Sequence, residues 1–173
     1  MKTLILGGVR SGKSQMAESM AQESAAKVIY IATARAGDDE MSERIATHQQ
    51  RRPASWDNHE EPLYLAAAIR AKADKGSCLL VDCLSLWVSN LLLDDDKSLV
   101  ESEVMALLET LPQCPGKIIF VSNESNMGVI PMGELSRHYC DVLGLLHQNI
   151  AKLSDRVILT IAGLPHYLKE VKV

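Results

Sequence analysis

Five short apolar runs, Thr3–Leu6, Val28–Ala32, Cys78–Asp82, Lys117–Ser122 and Val157–Ile161, have the length and β-branched content of buried strands. Longer segments carry apolar residues at helical spacing: Ser14–Ala25, Asp39–Gln50, Pro62–Ala73, Ser85–Leu93, Ser98–Leu111 and Glu134–Leu153. Strand and helix therefore alternate. That order predicts an α/β fold, a mostly parallel sheet with right-handed crossovers, helices on both faces, and ligands at the carboxyl ends of the strands. Prolines 53, 62, 112, 115, 131 and 165 fall between these segments, where a fixed φ and a missing N–H cost least.

With 173 residues, 47% of them hydrophobic, the chain can close one core, so residues 1–173 are expected to form a single domain. Eighteen Lys and Arg against 22 Asp and Glu leave a net charge of -4, which offers no basic field for nucleic acid. No run is long enough to span a membrane and the amino terminus lacks a signal layout, so the expected compartment is the cytoplasm. Cys78, Cys83, Cys114 and Cys140 show no CxxC or zinc spacing and are read as packing thiols. The acidic run Asp94–Asp96 lies between two helices and reads as a solvated turn.

The first strand runs directly into Gly7-Gly8-Val9-Arg10-Ser11-Gly12-Lys13-Ser14, which fits G-x-x-x-x-G-K-[ST] and opens a helix. Glycines let the backbone wrap phosphate oxygens with N–H groups, and the helix amino terminus adds positive potential. Lys13 is assigned to the β- and γ-phosphates, and the Ser14 hydroxyl to Mg²⁺. The second metal partner in such sites is an acid ending a neighbouring strand, and Leu79-Leu80-Val81-Asp82 supplies one. Asp82 also suits an N-cap. Beside the phosphate loop, the metal role is the better account. The fold expected is therefore that of a P-loop NTPase.

Polar chemistry is dense after the second strand: Thr33, Ala34, Arg35, then Asp38, Asp39 and Glu40, then Arg44, His48, Gln49, Gln50, Arg51, Arg52 and Glu60. Asp38–Glu40 suit the positive end of a helix, and Met41, Ile45 and His48 recur on one face. Spacing alone leaves His48 open, as a hydrogen-bonded core imidazole or as a reactive one.

Taken together, GGVRSGKS at 7–14, YIATARAGDDEM at 30–41, RIATHQQRRPASW at 44–56, LLVDCLSLWVSNLL at 79–92, VSNESNMGVIP at 121–131 and the closing GLPHYLK resemble the bifunctional adenosylcobinamide kinase and adenosylcobinamide-phosphate guanylyltransferase family. The resemblance runs essentially end to end. It implies phosphorylation of adenosylcobinamide by ATP or GTP, then transfer of GMP from GTP through a guanylylated histidine that His48 matches. It also implies nucleotide contacts at Thr33, Ala34, Arg35, Gln49, Gln50, Arg51, Arg52, Glu60 and Asp82, beyond the Gly7–Ser14 loop. Finally, it implies a homo-oligomer, a trimer, with the corrinoid near subunit boundaries. The chain departs from the family pattern at Asn58, Ser125-Asn126, Cys140 and His147. His59, His138, His147 and His166 have no metal spacing and are read as structural or solvent-exposed.

Two other functions compete. A kinase that lacks the nucleotidyl step would not need His48. A regulatory GTP-binding switch would carry Asp-x-x-Gly and Asn-Lys-x-Asp, whereas Asp82 is followed by Cys83-Leu84-Ser85 and Asn123-Glu124 lacks the lysine.

Overall fold

Each of the five anticipated runs is a strand, and two further strands complete the sheet. The computed structural model describes residues 1–24, 26–35 and 52–171. Its strands are β1 (Lys2–Gly7), β2 (Lys27–Ala32), β3 (Asp57–Glu60), β4 (Ser77–Asp82), β5 (Lys117–Asn123), β6 (Arg156–Ile161) and β7 (Leu164–Glu170), in the order β3-β2-β4-β5-β1-β6-β7. All neighbours pair parallel except β6 and β7, which form an antiparallel hairpin.

The two unexpected strands lie at the sheet edges, where one flank faces solvent and the apolar run of a buried strand is not needed. β3 reads Asp-Asn-His-Glu, and Asp57 is held to β2 by Lys27 at 2.7 Å. β7 follows a two-residue turn in which Ala162 and Gly163 both have positive φ, 52° and 78°, the geometry that suits a right-twisted hairpin. Pro165, expected between elements, lies within β7; an edge strand tolerates its missing donor.

The described helices are α1 (Lys13–Glu23), α2 (Leu65–Lys72), α3 (Leu84–Leu93), α4 (Leu99–Thr110) and α5 (Glu134–Leu153). They match their predicted segments to within a few residues. The segment expected as a helix at Asp39–Gln50 lies outside the described residues. Between α3 and α4 the acidic run is a solvated turn, as expected: Asp96 Oδ1 accepts the Ser98 N–H at 2.9 Å. All four cysteines are free, Cys78 and Cys83 buried.

Strand alternation sorts the core into two layers. Leu4, Leu6, Ile29, Ile31, Leu79, Val81, Ile118 and Phe120 join α2–α5 on one face, around Trp87 and Leu91. Ile5, Val28, Tyr30, Cys78, Leu80, Ile119, Val121 and Ile158 point to the other face, where Ala17 and Ala21 of α1 pack. The small alanines bring α1 close to the sheet, which fixes the loop that precedes it.

Candidate active site

Gly7 ends β1 and the loop to α1 turns over it tightly. A Cβ at Gly7 would lie 2.4 Å from Ser11 Oγ and 2.6 Å from the Thr160 carbonyl oxygen, so no larger residue fits. Gly12 has φ 94°, a left-handed conformation natural to glycine, and sits against Gly163 of the β6–β7 turn. The Gly163 N–H donates to the Ser11 carbonyl at 2.9 Å, so the hairpin that the sequence pattern does not reveal props the phosphate loop from behind. Gly8, Val9 and Arg10 are exposed. Ser11 Oγ is buried and has no hydrogen-bond partner among the described residues.

Lys13 is 9% exposed, and its ammonium donates to the Gly8 carbonyl at 3.1 Å, which curls it back over the loop. Burial lowers its pKa from the ordinary 10.5, and the nearby Cys83 and Asp82 side chains pull it back up. Lys13 and Asp82 thus feel each other across β5, the strand between β4 and β1.

Asp82 ends β4 and does not cap α3, whose N-cap is Cys83 with no side-chain hydrogen bond. Its Oδ2 instead accepts the Tyr30 hydroxyl at 2.8 Å. Ala32 is the register partner of Asp82, so Tyr30 lies two residues back on the same face and its long ring spans the gap. Burial, with Asp82 adding, raises the Tyr30 pKa far above its ordinary value and keeps the hydroxyl a donor. The guanidinium of Arg52 stacks on the other end of this pair, 3.5 Å from the Tyr30 ring centre, while its Nη1 donates to Asn58 Oδ1 at 2.9 Å. Sequence reasoning passed over Tyr30. Its signal is a phenol inside the apolar run Lys27–Ala32, because a buried hydroxyl needs a partner.

Thr33 is fully buried and braces the end of β4. Its hydroxyl donates to the Cys83 carbonyl at 2.7 Å and accepts the Cys83 N–H at 2.8 Å, and its own carbonyl accepts Asn90 Nδ2 at 2.7 Å. Ala34 and Arg35 follow, with Arg35 exposed. Glu60 is exposed at the end of β3, on the carboxyl-end rim that also carries Asp82 and Asn123. His48, Gln49, Gln50 and Arg51 lie outside the described residues. Burial pushes the Cys83 thiol up to about 11, which keeps it an inert packing group.

His147 proves structural: it is buried on α5, its Nε2 lies 2.8 Å from Ser122 Oγ, and its Nδ1 lies 3.9 Å from Glu124 Oε2. Burial lowers its pKa and Glu124 opposes the shift. The Glu124 N–H in turn donates to the Gly7 carbonyl at 2.9 Å, which ties this network to the phosphate loop.

Among the described residues no group of three His, Cys, Asp or Glu side chains could hold a metal ion. The oxygen donors of Ser14 and Asp82 suit a hard divalent ion whose remaining ligands are phosphate and water.

A profile of cobinamide kinase / cobinamide phosphate guanyltransferase matches residues 3–168. The bifunctional adenosylcobalamin biosynthesis protein CobP of Pseudomonas aeruginosa is 59% identical over 169 residues, covering 98% of each chain. CobU of Escherichia coli is 35% identical over 177 residues, covering 95% of this chain and 97% of its own. Among solved structures, PH0250 from Pyrococcus horikoshii OT3 superposes with a TM-score of 0.58 at 9% identity over 99% of this chain and 87% of that one. The RadB recombinase gives 0.50 at 13% identity over 91% and 73%, so both are likenesses of fold. With the family profile spanning nearly the whole sequence, the chain belongs to the cobinamide kinase / cobinamide phosphate guanyltransferase family.

Proposed function

We propose that this chain phosphorylates adenosylcobinamide and then transfers GMP from GTP to the phosphorylated corrinoid, giving adenosylcobinamide-GDP. One domain spanning residues 1–173 performs both steps in the cytoplasm, where its four free thiols stay reduced. The observation that carries this reading is the family match across residues 3–168.

In the first step the aminopropanol hydroxyl attacks the γ-phosphorus of ATP or GTP. The bond to the β-phosphate oxygen breaks, the nucleoside diphosphate leaves, and the hydroxyl proton passes to solvent. Lys13 swings from the Gly8 carbonyl to the β- and γ-phosphates, and the backbone of Gly7–Ser14 holds their oxygens. Ser14 and Asp82 would hold Mg²⁺, which supplies charge neutralisation on the phosphates when bound. Ala34, Arg35, Gln49, Gln50, Arg51, Arg52 and Glu60 complete the nucleotide site, with Thr33 bracing it.

In the second step an imidazole nitrogen of His48 attacks the α-phosphorus of GTP, a phosphorus–nitrogen bond forms and pyrophosphate leaves. A phosphate oxygen of the corrinoid then attacks the same phosphorus, and the bond to nitrogen breaks. Protein incubated with GTP labelled in the α-phosphate should keep label through denaturation and release it in acid, while γ-label is lost. His48→Asn should abolish the adduct and spare the kinase step. Label on another residue would contradict His48, and a wild-type protein that never takes up α-label would leave a kinase alone.

We further assign a homotrimer. Met127, Val129, Ile130 and Met132 are 75–96% exposed in one short segment, an apolar surface that a second copy would cover. Light scattering should give three chains per particle; a fully active monomer would contradict it.

A further inference from the structure

Tyr30 touches both halves of the site yet has no assigned part in it. Its side chain is 2% exposed, its hydroxyl reaches Asp82 Oδ2 at 2.8 Å, and its ring carries the Arg52 guanidinium at 3.5 Å. We propose that Tyr30 is a positioning residue that sets the carboxylate for the metal and the guanidinium for the nucleotide phosphates at the same time. The inference rests on the metal role given to Asp82.

The geometry gives each end of the side chain its own task. A carboxylate at a strand end rotates about χ2, and a hydrogen bond to one oxygen stops that rotation and directs the other oxygen away from Tyr30. Ring stacking holds Arg52 by a face that costs it none of its five N–H donors. One donor is taken by Asn58, and Nε is buried without a partner among the described residues. Among the described residues the guanidinium therefore keeps donors that phosphate oxygens could take. The hydroxyl and the ring are separable by substitution: Tyr30→Phe removes the first, and Tyr30→Leu removes both.

The experiment measures Mn²⁺ affinity by electron paramagnetic resonance in the complex with a non-hydrolysable GTP analogue, and analogue affinity without metal, for both variants and for Asp82→Asn. Tyr30→Phe should weaken Mn²⁺ by roughly ten-fold, the scale of a hydrogen bond to a charged group, and leave metal-free analogue binding unchanged. Its kinase kcat should fall while KM holds. Tyr30→Leu should additionally weaken metal-free analogue binding by about five-fold, a loss that Tyr30→Phe does not show because its ring remains. Adding Tyr30→Phe to Asp82→Asn should cause no further loss of Mn²⁺ affinity. If Asp82→Asn weakens Mn²⁺ and Tyr30→Phe does not, the positioning role is wrong while the metal site stands. If Asp82→Asn binds Mn²⁺ normally, the metal role of Asp82 fails and the inference with it. Equal analogue affinity in the Leu and Phe variants would overturn the task given to the ring.

Discussion

The two faces of the sheet do different work. One is dry and aliphatic: Leu4, Ile31, Leu79, Val81, Phe120 and the helices α2–α5 close around Trp87, which is fully buried with its indole N–H donating to the Leu63 carbonyl at 2.8 Å. The other face is covered, among the described helices, by α1, and there the alternating positions end in Tyr30, Asp82 and the phosphate loop. Because side chains alternate with period two, the same strands build both faces. Stability and chemistry can therefore be changed separately, although Val81 and Asp82 are consecutive in the chain.

The largest effect should come from the dry face. Trp87→Ala should cost about 3–5 kcal/mol, through lost burial, an unfilled cavity and an orphaned carbonyl. Urea unfolding measures it, and a loss under 1 kcal/mol would show that this face does not dominate stability. Next comes Lys13→Ala on the other face, which should lower kinase kcat by on the order of 10²–10³ with the urea midpoint unchanged. A midpoint that falls with activity would merge the two faces into one.

How far the sequence reveals this division depends on the strength of local signals. The five central strands and α5 at Glu134–Leu153 are legible because burial forces apolar runs or long amphipathic periodicity. The edge strands β3 and β7 are hidden because an edge imposes no such pattern, and Pro165 argues against a strand until its edge position is known. Lys13 stands out because the loop motif Gly7–Ser14 has fixed spacing, and Asp82 because an acid ends the apolar run Leu79–Val81. Tyr30 and the Gly163 prop do not, since each acts through a partner distant in sequence: Tyr30 through Asp82 and Arg52, Gly163 through the Ser11 carbonyl.

A smaller effect tests where the faces meet. His147 is buried on the helical side yet lies beside Glu124, whose backbone holds Gly7. Its folded pKa lies below the unfolded value near 6.5, so the unfolded chain binds the proton first as pH falls. Its contribution to stability is thus intact above 6.5 and is lost as pH drops from there toward the folded value. The urea midpoint should decline below pH 6.5, and His147→Asn should flatten that decline without changing kinase kcat at neutral pH. An unchanged slope in the variant would remove His147 as its source.

The central claim is that the face bearing the phosphate loop carries out both transfers on a corrinoid. Purified protein should be incubated with adenosylcobinamide, GTP and Mg²⁺, and the corrinoid products followed by mass spectrometry over time. The account predicts adenosylcobinamide phosphate appearing first and adenosylcobinamide-GDP accumulating after it, with Lys13→Ala slowing the first and His48→Asn stopping the reaction at adenosylcobinamide phosphate. Adenosylcobinamide recovered unmodified from the wild-type reaction would contradict it.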